Sequence, residues 1–263
     1  MQLIDLTRTL DPADRDLLPE PLRPLAAVVA PTVTYAHPAG TGRDEFAAAM
    51  RCAVEDLPEG EGWGSEMLTD FNTHLGTHVD APLHYGSTCE GKPSARSPIS
   101  LSMSCGARQS FSISGIAAQP TPPSRATRSK LHWRRTGPRS PAGGAVLLRT
   151  GQERFTLADP EFFQYPGMSR EGTLFLAERG AKVLGTDAAG WDLSFAVMAR
   201  EFEETGDNSV LWDGHRAGRE REVFIVQQMT NLAALPPSGF RVAFFPIKLA
   251  RASAAPARVV AFV

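Results

Sequence analysis

The run His74-Leu75-Gly76-Thr77-His78-Val79-Asp80-Ala81-Pro82-Leu83-His84 places three imidazoles and one carboxylate within eleven residues. His74, His78, Asp80 and His84 all fall on positions of the same parity. In an extended chain, side chains two apart share a face, so a ribbon would carry all four groups together. A helix fits less well, because Asp80 falls about 600° on from His74, off the His74–His78 face. Gly76 and Thr77 are poor helix formers, and Pro82 would break the ladder. Fully extended, His74 and His78 lie about 13 Å apart at Cα. A shared ion therefore requires a kink or bulge, which Gly76 can supply.

Two neutral histidines and a carboxylate are a common ligand set for Zn²⁺, Mn²⁺ or Fe²⁺. Such an ion lowers the pKa of a bound water to about 7 and so prepares a nucleophile for a carbonyl carbon. His84 is then left as a general base or proton donor, a role its ordinary pKa suits. The zincin pattern HExxH is excluded, since Leu75 stands where glutamate is needed. A serine nucleophile is not indicated, as no GxSxG elbow occurs.

The string HLGTHVDAPLH resembles the HxGTHxDxPxH signature of the putative cyclase family, which includes bacterial kynurenine formamidase and isatin hydrolase. Further matches are Gly62-Trp63-Gly64-Ser65-Glu66, Leu147 to Gly151, Gly214-His215-Arg216, Met229-Thr230-Asn231-Leu232 and Phe245-Pro246. The resemblance covers most of the chain outside residues 93 to 142. It implies that His74, His78 and Asp80 are metal ligands and His84 the catalytic histidine. In the dizinc formamidases a later histidine, and a glutamate twelve residues on, hold a second zinc. His215 matches that histidine, whereas Gln227 stands at the glutamate position. A neutral amide does not offset the charge of a second dication. The resemblance therefore implies one divalent ion, Mn²⁺ or Zn²⁺, with Gln227 in its site and His215 as a second catalytic residue. It further implies an α/β chain with a swivelling β/β/α fold, a mixed sheet with flanking helices, assembled as a homodimer or homotetramer. The substrate would be a small amide or lactam, an aryl formamide or a cyclic amide.

The elements that must position these groups are expected in one domain spanning 1–263. With 42% hydrophobic residues, the 263-residue chain can bury a sizeable core. The net charge of -2 gives no basic field for nucleic acid, and no apolar run reaches the roughly 18 residues of a membrane span. The N-terminus lacks the pattern of a signal peptide, and Cys52, Cys89 and Cys105 have no CxxC spacing. Together these favour a reducing cytoplasm. A helix is expected near Glu45 to Val54 and a short helix start at Asp159 to Phe163. Strands are expected at Ala145–Arg149, Thr173–Ala177, Val223–Val226, Phe240–Phe245 and Arg258–Val263, with a short helix at Glu178–Val183 and a turn at Pro236–Gly239.

One segment departs from its surroundings. No Asp or Glu occurs between Glu90 and Glu153, where the chain average predicts roughly 7. Eleven of the 18 serines lie between Ser94 and Ser140, with nine Lys or Arg from Lys92 to Arg139. The plain reading is a solvated basic insertion. Back-translation with GC-rich codons suggests another. Reading from the third base of each codon, Arg108 to Ile116 can encode a strand-like PAVVLDLRD. Pro122 to Gly143 can encode an acidic, alanine-rich helix. We expect a pair of compensating indels shifting the frame from about Pro93 to Ala142. The alternative to a working hydrolase is an inactive or merely metal-binding relative, disabled by this segment. Sequencing the source gene tests the shift; an uninterrupted frame, with relatives carrying the same Ser/Arg text, would overturn it.

Overall fold

The structure is a computed structural model that describes residues 1–96 and 144–263. The segment expected to be shifted in frame lies outside the described residues from position 97 onward. The strands in chain order are β1 (Leu3–Asp5), β2 (Thr32–Ala36), β3 (Ser65–Thr69), β4 (His78–Asp80), β5 (Thr88–Cys89), β6 (Lys92–Pro93), β7 (Gly144–Leu148), β8 (Ala181–Thr186), β9 (Phe224–Gln227), β10 (Arg241–Pro246) and β11 (Ala254–Phe262). The α-helices are α1 (Asp14–Leu17), α2 (Ala26–Val29), α3 (Thr41–Met50), α4 (Pro82–Tyr85), α5 (Arg170–Glu178), α6 (Phe195–Thr205) and α7 (Asp213–Arg216). The chain forms two compact units, Met1–Thr9 with Thr73–Val263, and Leu10–Asn72.

The larger unit is built on a mixed sheet of order β1-β11-β4-β9-β8-β7, with β10 also paired to β11. β7, β8 and β9 run parallel, so the chain must cross over between them. α5 lies between β7 and β8 in sequence, and α6 and α7 between β8 and β9. Both faces of these strands are covered. Ala145, Leu147, Val183, Phe224 and Val226 point into one apolar cluster, and Val146, Leu148, Leu184 and Ile225 into another. This is the near-continuous apolar text that parallel strands require.

β4 is three residues long, and both of its edges are paired. His78 lies opposite Gln227 of β9 and Pro256 of β11, and Asp80 lies opposite Ile225 and Ala254. The alternation of side chains sends Val79 into the first cluster. His78, Asp80 and Gln227 therefore share the other face.

The expected strands at 145, 223, 240 and 258 are present with shifted ends. Pro160–Phe163 is a 3₁₀ turn where a short helix start is expected, and the helix near Glu45 begins earlier, at Thr41. Two expectations are overturned. Thr173–Ala177 is helical, within α5, and residues 181–183 of the expected short helix belong to β8. An apolar run this short does not distinguish strand from helix by its period alone. Ser169 decides α5: its side chain accepts from the Gly172 N–H as an N-cap, and Thr173 and Leu176 bury one face. The ribbon reading of 74–84 is also corrected. Only His78–Asp80 is strand; His74 lies before it, and His84 sits in α4, which Pro82 opens at its first turn.

The smaller unit pairs β2 with β3 antiparallel, Thr32 opposite Thr69 through Ala36 opposite Ser65. Phe46 of α3 packs on Trp63, with ring centroids 5.1 Å apart. Among the described residues, no helix is long and apolar enough to cross a membrane.

The kink expected at Gly76 is present, with φ at 54°. A β-carbon in the left-handed region costs about 1–2 kcal/mol. Gly76→Ala is expected to lower unfolding stability by about that amount in urea titration; an unchanged midpoint would contradict a required left-handed turn.

Candidate metal and proton-transfer site

The larger unit holds all six candidate site residues, His74, His78, Asp80, His84, His215 and Gln227. β4 supplies His78 and Asp80, α4 supplies His84, α7 supplies His215, and β9 supplies Gln227. His74 enters from the turn before β4. Asp80 is fully buried, and His78, His215 and Gln227 are nearly so; His74 and His84 are half-buried.

Asp80 is the hub. Its Oδ1 lies 3.4 Å from His74 Nε2 and 3.5 Å from His78 Nε2. Its Oδ2 accepts from Gln227 Nε2 and lies 3.5 Å from His215 Nε2. Burial works toward the neutral acid. The imidazoles oppose it, His78 foremost, and together they hold the carboxyl well below the usual carboxylate range. His78 Nδ1 donates to the Gly76 carbonyl at 2.8 Å, which leaves its Nε2 lone pair facing Asp80. His74 Nε2 and His84 Nδ1 are 3.0 Å apart. Burial lowers the pKa of His74, and burial together with the neighbouring imidazoles pushes His84 down to about 4 against the attraction of Asp80. Both rings are therefore neutral at neutral pH.

The residues present fit a cation. Asp80 Oδ1 is buried and has no hydrogen-bond partner among the described residues. An ionised oxygen left so is costly unless a positive charge completes it. One ligand atom each from His74, Asp80 and His84 lies within 4.8 Å of the others. His78 adds a further nitrogen to the same carboxylate oxygen. The tightest cluster thus includes His84, which the sequence assigns to proton transfer. A ring nitrogen has one lone pair, so at His74 Nε2 the His84 contact and a cation are alternatives.

Gln227 enters as a donor: its amide nitrogen, which has two protons, reaches Asp80 Oδ2 and lies 3.3 Å from His215 Nε2. His215 is held from its other side by Asp192, whose Oδ2 accepts from Nδ1. Asp192 Oδ1 also accepts the backbone N–H of Gly214 at 2.5 Å and of His215 at 3.1 Å. Burial disfavours a charged His215 ring, but Asp192 and then Asp80 raise its pKa to about 9. Tyr85, buried beside this ring, donates to the backbone carbonyls of Asp80 and Val223. Thr77 Oγ1 donates to the Gln228 carbonyl at 2.6 Å and accepts from the Arg8 N–H at 2.8 Å. That ties the ligand strand to the residue after Gln227.

Sequence reasoning missed Asp192 and Trp212. Trp212 stacks on His215 with ring centroids 4.9 Å apart and meets His84 edge-on at 4.8 Å. Its signal was adjacency, two residues before the Gly214-His215-Arg216 match. Asp192 had only a weak signal, an acid placed between Trp191 and Leu193.

A family model described as Putative cyclase matches residues 4–193. Among solved structures, isatin hydrolase A from Ralstonia solanacearum is similar at 20% identity and a TM-score of 0.60, over 99% of this chain and 91% of that one. A predicted metal-dependent hydrolase from Bacillus stearothermophilus is similar at 19% identity and a TM-score of 0.57, over 99% and 97% of the two chains. An isatin hydrolase bound to the product analogue thioisatinate gives 19% identity and a TM-score of 0.60, over 100% and 92%. At these identities the likeness is one of fold: an α/β chain whose mixed sheet and flanking helices are those of cyclase-family proteins.

Asp192→Ala removes the acceptor of two buried backbone N–H groups and of a buried ring. It is expected to cost about 3–5 kcal/mol in chemical denaturation, while Asp192→Asn keeps a backbone acceptor and loses less. Equal, small losses in both variants would contradict the anchoring role. The profile match over most of the chain, and a site built from its signature residues, place this protein in the putative cyclase family.

Proposed function

We propose that this protein is a metal-dependent hydrolase of amide carbon–nitrogen bonds, acting on an aryl formamide or a cyclic amide. The observation that carries the reading is the buried Oδ1 of Asp80, which has no hydrogen-bond partner among the described residues and is faced by His74 and His78. The similar solved structures named as isatin hydrolases and metal-dependent hydrolases support it. His74, His78 and Asp80 would hold one divalent ion, Mn²⁺ or Zn²⁺, with Gln227 in its site bracing Asp80 Oδ2. When bound, the ion supplies Lewis-acid polarisation of a carbonyl and lowers the pKa of water.

The chain's own groups then divide the proton work. His84 is neutral and half-buried. With His74 Nε2 given to the ion, the contact to His84 Nδ1 is released, and the neutral His84 ring takes a proton from water and returns it to the leaving nitrogen. His215, fixed through Nδ1 by Asp192, keeps its Nε2 edge on the Asp80 carboxylate and Gln227. It steadies the side of the ligand carboxylate away from His74. Gln227 donates an N–H to one lone pair of Oδ2 and, as a neutral amide, brings no charge to offset a second dication. We further propose that the active protein is a homodimer or homotetramer working on a small-molecule substrate in the cytoplasm.

Metal analysis on purified protein, joined to assays with N-formylkynurenine and isatin, tests the reading. One ion per chain is expected. His78→Ala is expected to lose both the ion and turnover. His84→Gln is expected to keep the ion and to lose about 10²–10⁴-fold in turnover. Gln227→Glu is expected to raise the stoichiometry from one ion towards two. Full turnover after chelation would overturn the proposal, and bound metal without hydrolysis of any amide would favour a binding role.

A further inference from the structure

Trp212 is a bulky residue with a left-handed backbone, φ 62° and ψ 34°. Side chains other than glycine, asparagine and aspartate seldom adopt this region, and such outliers cluster at functional sites. The surroundings hold it there. Its N–H lies 3.3 Å from Met198 Sδ, and its carbonyl accepts from the Arg216 N–H at 2.9 Å. This geometry lays the indole nearly parallel to His215, at an interplanar angle of 29°, and edge-on to His84 at 74°. The His84 and His215 rings are themselves 5.7 Å apart and close to perpendicular. His215 is buried, whereas Trp212 and His84, whose rings meet at 4.8 Å, are both half-buried.

We propose that Trp212 is a specificity-determining wall of this site, favouring flat unsaturated groups over saturated groups of the same size. Offset or edge-to-face contact with an indole rewards a planar ring by a few-fold to about tenfold in affinity, and a puckered ring gains only the shared apolar area. The wall adds no chemistry. It sets which acyl or amine substituents reach His84 in a productive orientation. The inference rests on reading this site as one for small amides, and it names the residue that would select among them.

Two measurements on the manganese-loaded full-length protein separate the two ideas. Calorimetric titration compares benzoate with cyclohexanecarboxylate, which share the carboxylate and the number of ring carbons. Wild type is expected to bind benzoate three- to tenfold more tightly. Trp212→Leu is expected to erase that preference, and Trp212→Phe to keep most of it. Hydrolysis of formanilide and N-cyclohexylformamide gives a second ratio, taken between variants so that intrinsic reactivity cancels. Trp212→Leu should lower the aryl-to-cyclohexyl ratio of kcat/KM by a similar factor, chiefly through KM. A benzoate preference absent from wild type, or unchanged in Trp212→Leu, overturns the wall. Should Trp212→Leu fail to fold, loss of the preference in Trp212→Phe would overturn it and retention would support it. Failure of wild type to hydrolyse either amide refutes the hydrolase reading alone, and the carboxylate titration still decides the role of Trp212.

Discussion

A carboxylate with no access to solvent organises the larger unit. Asp80 is fully buried on a strand of three residues, and ionised carboxylates in such places are tolerated only when other groups replace the lost water. Here the replacement is unequal on its two oxygens. Oδ2 has Gln227 and the edge of His215; Oδ1 has two histidine nitrogens near it and, among the described residues, no hydrogen-bond partner. That asymmetry gives the site its direction. It fixes which side of the carboxylate is braced by protein and which side faces the candidate ligand nitrogens of His74 and His78.

The supporting parts follow from this hub in layers. β9 and β11 clamp both edges of β4, so the ligand strand has little freedom to shift. The Gly76 carbonyl fixes the ring of His78, and Asp192 fixes the ring of His215. Tyr85, buried among apolar side chains, ties α4 to the backbone of Asp80 and Val223. These contacts place the candidate ligands His78 and Asp80 on a strand paired at both edges and leave the rings of His84 and Trp212 half-buried.

Much of the site was legible in the sequence because its residues are close together in it. The parity of His78 and Asp80, and the need for a kink at Gly76, follow from strand geometry alone. The single ribbon did not hold, since Pro82 starts a helix and brings His84 in from another element. His215 and Gln227 became legible only through resemblance; no local pattern links residues more than 130 positions away to the motif. Asp192 and Trp212 escaped because their roles depend on the folding of the 190–215 stretch against β9. The misread pair at 173–183 has the same origin: an apolar run serves as helix or strand according to the slot beside β7 that must be filled.

The pairing of β4 with β9 also has a consequence for how the protein can go wrong. His78 faces Gln227 across the ladder, and Val79 between the two ligands belongs to the opposite apolar cluster. Because the alternation has a period of two, a slip of one residue would turn Val79 outward into the site and drive a histidine and an aspartate into hydrocarbon. A one-residue slip therefore cannot keep the apolar packing of the sheet while losing only the polar face. The parity that packs Val79 into the core is thus the same parity that gathers His78, Asp80 and Gln227 on one face.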